Sequence, residues 1–376
     1  MSQKKSESKI LESTIKKLKE HYKSQNKLAP LFDDPDQLID TCYIRLTLLK
    51  QRYFLEKSEE ILNEEDNNEA VEEEKEEKDP EEWLNTLDYF MTYGSGQKTV
   101  ELQDLWVEEK ERERRKEDEE VARMNHISIC GEAGSGKSVL TQVIAYLWAK
   151  NEMWSDQFQW LLHIPFGRIA HVFDSDKDSD SDNITNQWLK VMDALNISKW
   201  NSNDTKIVYS KNGLLILDGF DAIASELNRK PGLKRWLQHC TESRNCHVIV
   251  TSRPNVMCSY LKNAKLIDII GFQSQDIRKY IHAYFQNVAG DSGDNDQKDC
   301  DQADILLRKL IDNPSLKLLS HIPLYLRLFC HLTRQQILKA QEEEDNDNDN
   351  NDNDNDNEMI MIMIMIMMKK KKKIFE

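Results

Sequence analysis

Residues 126–332 predict an α/β fold, a parallel sheet with helices on both faces, followed by a small helical subdomain. Three observations carry that expectation. Short apolar runs of four to six residues alternate with longer amphipathic ones, the rhythm of strand–helix–strand units. The runs are rich in Ile, Val and Leu and read as strands buried on both faces. A Gly-rich turn, GEAGSGKS at Gly131–Ser138, separates the first run from the amphipathic stretch after it.

Taken in order, His126–Cys130 (HISIC) reads as the first strand. A helix follows from about Lys137 to Lys150, with Leu140, Ile144 and Leu147 on one face. Trp160–Ile164, Gly213–Leu217, Val248–Thr251 and Leu266–Ile270 are the later strand candidates. Asp174–Asp182 and Asp291–Gln302 are polar insertions, expected to be surface loops.

Gly131–Ser138 fits G-x-x-x-x-G-K-[ST] and lies between a strand and a helix, as a P-loop requires. Its glycines let the backbone wrap a polyphosphate, and the helix N-terminus offers a positive dipole end. On this reading Gly131, Glu132, Ala133, Gly134, Ser135, Gly136, Lys137 and Ser138 form the phosphate cradle. Lys137 neutralises β/γ-phosphate charge and Ser138 gives its hydroxyl to Mg²⁺. The metal also needs an acid at the end of a neighbouring strand, and Asp218, after Leu214–Leu217, supplies it. Asp221 falls one turn on, near a γ-phosphate; a turn residue after Gly219 is the competing reading. Arg253, after the strand VIVT, is placed to sense the γ-phosphate, with a surface ion pair as the alternative.

GEAGSGKS, LLILDGFD and VIVTSRP, in that order, resemble the NACHT class of STAND-type signalling NTPases. Ile144–Trp154 resembles the helix and tryptophan after that family's P-loop, and Ile270–Phe272 with Tyr280–Phe285 the lead into its helical subdomain. His321–Phe329 (HIPLYLRLF) resembles its proline-containing motif, which implies that Pro323 touches the base. The resemblance implies a P-loop NTPase that binds ATP or dATP with Mg²⁺. Its expected domains are a nucleotide-binding domain at 126–275 and a helical subdomain at 276–340. It further implies a switch whose nucleotide exchange permits self-association. Asp218 is its Walker B acid, and Asp221 and Arg253 are the candidate catalytic residues. The family usually has Glu directly after the second acid, where this chain has Ala222, so weak or absent hydrolysis is expected. No Asn-Lys-x-Asp guanine reader is present.

The formal net charge of −16 is unevenly placed. Glu56–Glu82 holds fifteen acids and three lysines, Glu342–Glu358 ten acids and no base, and Lys369–Lys373 five lysines. Everything else is close to neutral, which disfavours a basic nucleic-acid-binding surface. Such runs are normally solvated. Residues 1–55 carry helical spacing, as in Ile10, Leu11, Ile15, Leu18 and again Leu46, Leu48, Leu49, Tyr53. The segment 56–82 reads as an acidic linker, 83–125 as a helical lead-in and 341–376 as a low-complexity, disordered tail. Alternating charge over Glu108–Glu120 suits an exposed helix.

Asp/Asn alternation gives way to Met/Ile alternation at Glu358. Deleting one base from a GATAAT repeat produces that change, so residues after Glu358 read as out of frame. An amphiphilic tail that touches anionic membrane weakly is the competing reading. The family's winged-helix and repeat-type segments would follow His331, and their lack reads as a C-terminally truncated form.

Seven irregularly spaced cysteines read as reduced intracellular thiols, and Met1–Glu20 lacks an apolar signal core. The apolar run Met359–Met368 is too short for a membrane span of about 20 residues, so a cytoplasmic location is expected. His239, Cys240, Cys246 and His247 fit no common zinc spacing. Trp148, Trp154 and Trp160 read as core rather than as a base-stacking platform. Two further readings of the whole stay open: an interaction module or decayed fragment with a vestigial P-loop, and an ordinary P-loop motor or transport ATPase.

Overall fold

The computed structural model describes residues 2–28, 37–50, 99–106, 126–174, 184–243, 246–289 and 296–344. The acidic linker, the alternating-charge segment, the insertion at 175–183 and the tail from 345 lie outside the described residues.

In chain order, α1 (Ser2–Ser24) and a single turn α2 (Ile39–Cys42) precede a short strand β1 (Thr47–Lys50). The central domain runs β2 (His126–Cys130), α3 (Lys137–Lys150), β3 (Trp160–Pro165), α4 (Phe166–Ile169), α5 (Ile184–Ala194), α6 (Ser202–Ser210) and β4 (Gly213–Asp218). It continues through α7 (Pro231–Glu242), β5 (Cys246–Ser252) and β6 (Lys265–Gly271). Four helices follow: α8 (Ser274–Ala289), α9 (Asp296–Asp312), α10 (Pro314–Ser320) and α11 (Pro323–Glu344). The five expected strands are all present, each within two residues of its expected bounds.

The six strands form one sheet in the order β1-β6-β2-β5-β4-β3. Neighbours among β2 to β6 are parallel, and β1 runs antiparallel to β6. Every residue of β2 and β4 is buried, and successive side chains point to opposite faces, so both faces are covered. This explains why these strands read as unbroken apolar runs. The order also corrects one expectation: the strand carrying Asp218 is not next to the P-loop strand, because β5 lies between β4 and β2.

Two further stretches differ from their sequence reading. The helical spacing of Leu46, Leu48 and Leu49 belongs to an edge strand, with Leu48 paired to Ile269 and Leu49 to Asp268. Four residues are too few for either period to declare itself, and pairing with β6 decides the conformation. The insertion Asp291–Gln302 was expected to be loop, yet α9 already begins at Asp296. Its buried stripe of Ala303, Leu306 and Leu310 starts only beyond the polar stretch that hid it.

Trp148, Trp154 and Trp160 are core residues whose indole N–H groups donate to backbone carbonyls: Trp148 to Phe158 (3.2 Å), Trp154 to Gln103 (3.2 Å) and Trp160 to Lys211 (3.1 Å). Their polar edges are therefore spent within the fold.

Helix α1 packs on α3, α6 and β3 through Thr14, Leu18 and Tyr22, spaced by four and each at most 2 % exposed. Buried Asp204 in α6 accepts from the Thr14 hydroxyl (2.6 Å) and from Lys17 Nζ (2.8 Å). The same carboxylate accepts from the Asn201 N–H (2.8 Å), so it closes the α6 capping box as well. Further along α1, the Tyr22 hydroxyl accepts from the His163 N–H (2.9 Å) and donates to the Leu161 carbonyl (3.4 Å). One side chain thus occupies the free edge of β3, where unpaired backbone groups would otherwise face outward.

Two histidines lie at this seam, and burial lowers the pKa of both. Burial pushes the His163 imidazole down to about 4, opposed by Asp218 and reinforced by Arg168 and His21. Burial and Arg168 also lower His21. In the unfolded chain both titrate near about 6.5, so the unfolded state takes up protons first as the pH falls. Stability contributed by the neutral rings is present above that value and is lost on going down towards pH 4. Urea unfolding midpoints are expected to fall between pH 7 and pH 5, and His163→Gln to flatten that fall. A pH dependence unchanged by the substitution would count against the assignment.

Candidate functional site

The carboxyl ends of β2, β5 and β4 lie side by side, and the loops leaving them make one site. From β2 the chain enters GEAGSGKS, whose Gly131 N–H donates to the Ser252 carbonyl at the end of β5 (3.3 Å). Gly134 and Gly136 sit at φ of +85° and +96°, a region that suits glycine. Gly136 is the N-cap of α3, so Lys137 and Ser138 occupy its first turn, with Ser138 exposed. Glu132 and Ala133 are exposed on the outer bend of the loop. The Ser135 hydroxyl is buried with no hydrogen-bond partner.

Lys137 folds back over the loop, donating to the carbonyls of Gly131 (2.6 Å) and Glu132 (2.9 Å). Its ammonium pKa is lowered, chiefly by burial; Asp221 and Asp218 pull it up while Arg253 pushes it down. Both acids and the arginine thus lie within electrostatic reach of the lysine. These are four of the five charged residues that the sequence singles out, the fifth being Glu132 on the loop itself.

Asp218 ends β4 and is 6 % exposed. Its Oδ1 accepts from the Thr251 hydroxyl (2.6 Å), and Thr251 Oγ1 accepts in turn from the Gly219 N–H (2.9 Å). The intervening strand β5 therefore fixes the carboxylate through its Oδ1. In the sequence Thr251 reads only as the last residue of the strand run VIVT, and nothing local points to Asp218 as its partner. Arg253 Nε in turn lies 3.0 Å from Asp221 Oδ2, so these two candidates meet each other. The surface ion pair that is the alternative reading for Arg253 is present, and its partner is Asp221.

The helical subdomain also reaches the loop. Pro323 opens α11 beside Gly271, and the next residue, Leu324, donates its N–H to the Gly134 carbonyl (3.3 Å). His321 accepts from the Phe272 N–H (2.9 Å) and joins the Phe272 carbonyl through Nδ1 (2.7 Å), tying this segment to the end of β6. From the other side Leu46, just before β1, packs on Gly136. Neither contact is legible in the sequence, because each spans a long chain separation.

The donor set suits a magnesium nucleotide. Asp218 and Ser138 offer hard oxygen donors, and Lys137 and Arg253 offer cations beside a loop with two left-handed glycines. The zinc alternative gains nothing: burial raises both thiols, Cys246 to about 12. Among the described residues no group of three or more His, Cys, Asp or Glu is placed to hold a metal.

Thr251→Val removes a buried hydrogen bond to a carboxylate and is expected to cost about 2 kcal/mol in denaturant unfolding. Thr251→Ser, which keeps the hydroxyl, should lose less than half as much. Equal losses for the two variants would show that the hydroxyl is not what matters.

Similarity to known proteins agrees with this geometry. The NACHT domain model matches residues 125–288. The chain is 24 % identical over 197 residues to the Homo sapiens NACHT, LRR and PYD domains-containing protein 10, a match covering 48 % of this chain. It spans 26 % of that relative's length. Among solved structures, C. elegans PCH-2 shares 11 % identity at a TM-score of 0.31, over 58 % of this chain and 63 % of that one. Drosophila ORC bound to DNA shares 16 % at 0.27, over 57 % and 52 %. Likenesses of that size carry no argument about function. With the P-loop, the sheet order and the family match in agreement, residues 125–288 are a NACHT domain of the STAND class of P-loop NTPases.

Proposed function

We propose that this NACHT domain serves an Mg²⁺-dependent ATP- or dATP-binding switch with weak or absent hydrolysis. The observation that supports it best is the meeting of Lys137, Asp218, Asp221 and Arg253 at one loop. The loop from Gly131 to Ser138 holds the phosphates, and Lys137 leaves its two carbonyls to pair with them. Ser138 and Asp218 would hold the metal, which when bound would supply positive charge to the phosphates. Thr251 keeps the Asp218 carboxylate in one orientation throughout.

Arg253 addresses the terminal phosphate. Asp221 is the local candidate for orienting water, but one of its oxygens is engaged by a guanidinium, and Ala222 follows it in place of an acid. Binding therefore outruns turnover. Pro323 and its neighbours cover the loop from the helical subdomain, consistent with a base held under that segment. Because Leu324 bonds directly to Gly134, occupancy of the loop and the position of α11 are linked, which is what a switch with nucleotide-dependent self-association needs. No described helix is long and apolar enough to cross a membrane, and a cytoplasmic location fits the reading.

The test is nucleotide content and turnover of the purified full chain beside Lys137→Ala. The wild type is expected to retain adenine nucleotide and to turn over slowly against the roughly 1–10³ s⁻¹ typical of enzymes. Loss of one charged contact should weaken ATP binding by about tenfold or more. Equal binding by wild type and variant would remove the basis for the switch, and fast turnover would point to a motor ATPase instead.

A further inference from the structure

The contact between Asp221 and Arg253 supports a step that the binding reading alone does not contain, though it rests on that reading. The two residues leave different strands, Asp221 in the turn Phe220–Ala222 after β4 and Arg253 directly after β5. Their side chains meet at 3.0 Å, with the carboxylate 20 % exposed and the guanidinium 49 % exposed. Ser252 pairs in register with Cys130 and accepts from the Gly131 N–H (3.3 Å), so Arg253, the next residue, leaves β5 beside the start of the loop. Lys137 is at the same time engaged by two loop carbonyls. Each cation of the site is thus held by an acceptor of the protein itself.

A guanidinium has donors only and binds carboxylate and phosphate oxygens with the same planar fork. We propose that Asp221 is an internal stand-in for the terminal phosphate of a nucleoside triphosphate. It keeps Arg253 beside the loop when no triphosphate is bound and releases it when a γ-phosphate arrives. A diphosphate ends one group short and leaves the pair intact. Exchange of one acceptor for the other is what tells the two nucleotides apart, and Asp221 sets how readily it happens. Because the arginine is half exposed, the pair it gives up is weak, and the carboxylate biases the choice by a small factor. The arrangement suits a switch that must be reversible at cellular nucleotide levels. A strong internal pair would lock the arginine away, and no pair would leave it disordered in solvent.

Equilibrium binding of a non-hydrolysable fluorescent ATP analogue and of fluorescent ADP, both with Mg²⁺, tests this in the full chain. The variants are Asp221→Asn, Arg253→Gln, the double variant and Lys137→Ala, each checked for an unchanged unfolding midpoint without nucleotide. Asp221→Asn is expected to tighten triphosphate binding about two- to fivefold relative to diphosphate. In the Arg253→Gln background that relative gain should vanish, since the competitor no longer has a guanidinium to hold. A gain that persists without Arg253, or that is equal for both nucleotides, means that Asp221 repels phosphate directly and overturns the exchange. Loss of binding in Lys137→Ala with no Asp221–Arg253 coupling sinks the exchange alone. Unaltered binding in Lys137→Ala sinks the nucleotide site beneath it. A variant with a lowered midpoint is replaced by Asp221→Ser or Arg253→Met in the same cycle, with the same expected loss of coupling.

Discussion

The fold around the site turns on how little room the P-loop leaves on its outer sides. A Cβ at Gly134 would come within 2.9 Å of Leu324, and one at Gly136 within 2.8 Å of Leu46. Real Cβ atoms do not sit that close, so the loop is clamped between two segments far from it in sequence. One belongs to the stretch before β1 and the other to the start of α11. The backbone that must stay bare to wrap a phosphate is the same backbone these leucines press upon. Side chains added there would push away protein before they met any ligand. Both ends of the described chain are thereby registered against one loop.

The charges of the site show a similar economy. Two cations and two carboxylates meet at the ends of three strands, and each cation already has an acceptor. Partly buried charges are costly unless paired, and here the pairing is internal. Thr251 adds a neutral side-chain contact, fixing Asp218 across a strand boundary. The result is a site kept in order by its own side chains, in which incoming anions replace existing partners.

Much of this was legible in the sequence, because it depends on contiguous residues. The strands show as unbroken apolar runs since both faces of β2 and β4 are covered, and GEAGSGKS shows as a spaced motif because the loop and helix cap are one segment. What could not be read depends on pairing at a distance. The strand order put β5 between β2 and β4, and only that order gives Thr251 its place beside Asp218. β1 imitates a helix in four residues until β6 is there to pair with it, and α9 hides its start in a polar stretch. Asp221 and Arg253 were both picked out, but their contact with each other was not, as neither segment hints at the other.

The family boundary at residue 125 has a consequence for what counts as the physical unit. The sheet has two rims. One is sealed by β1, itself backed by Val100, whose N–H donates to the Leu48 carbonyl (2.8 Å). The other is sealed by a single phenolic hydroxyl from α1. Both gaskets come from the first fifty residues, before the family segment starts. A domain trimmed to that segment would carry two bare β-edges, each a template for joining another copy edge to edge. Its self-assembly would then report on the trimming and say nothing of the nucleotide.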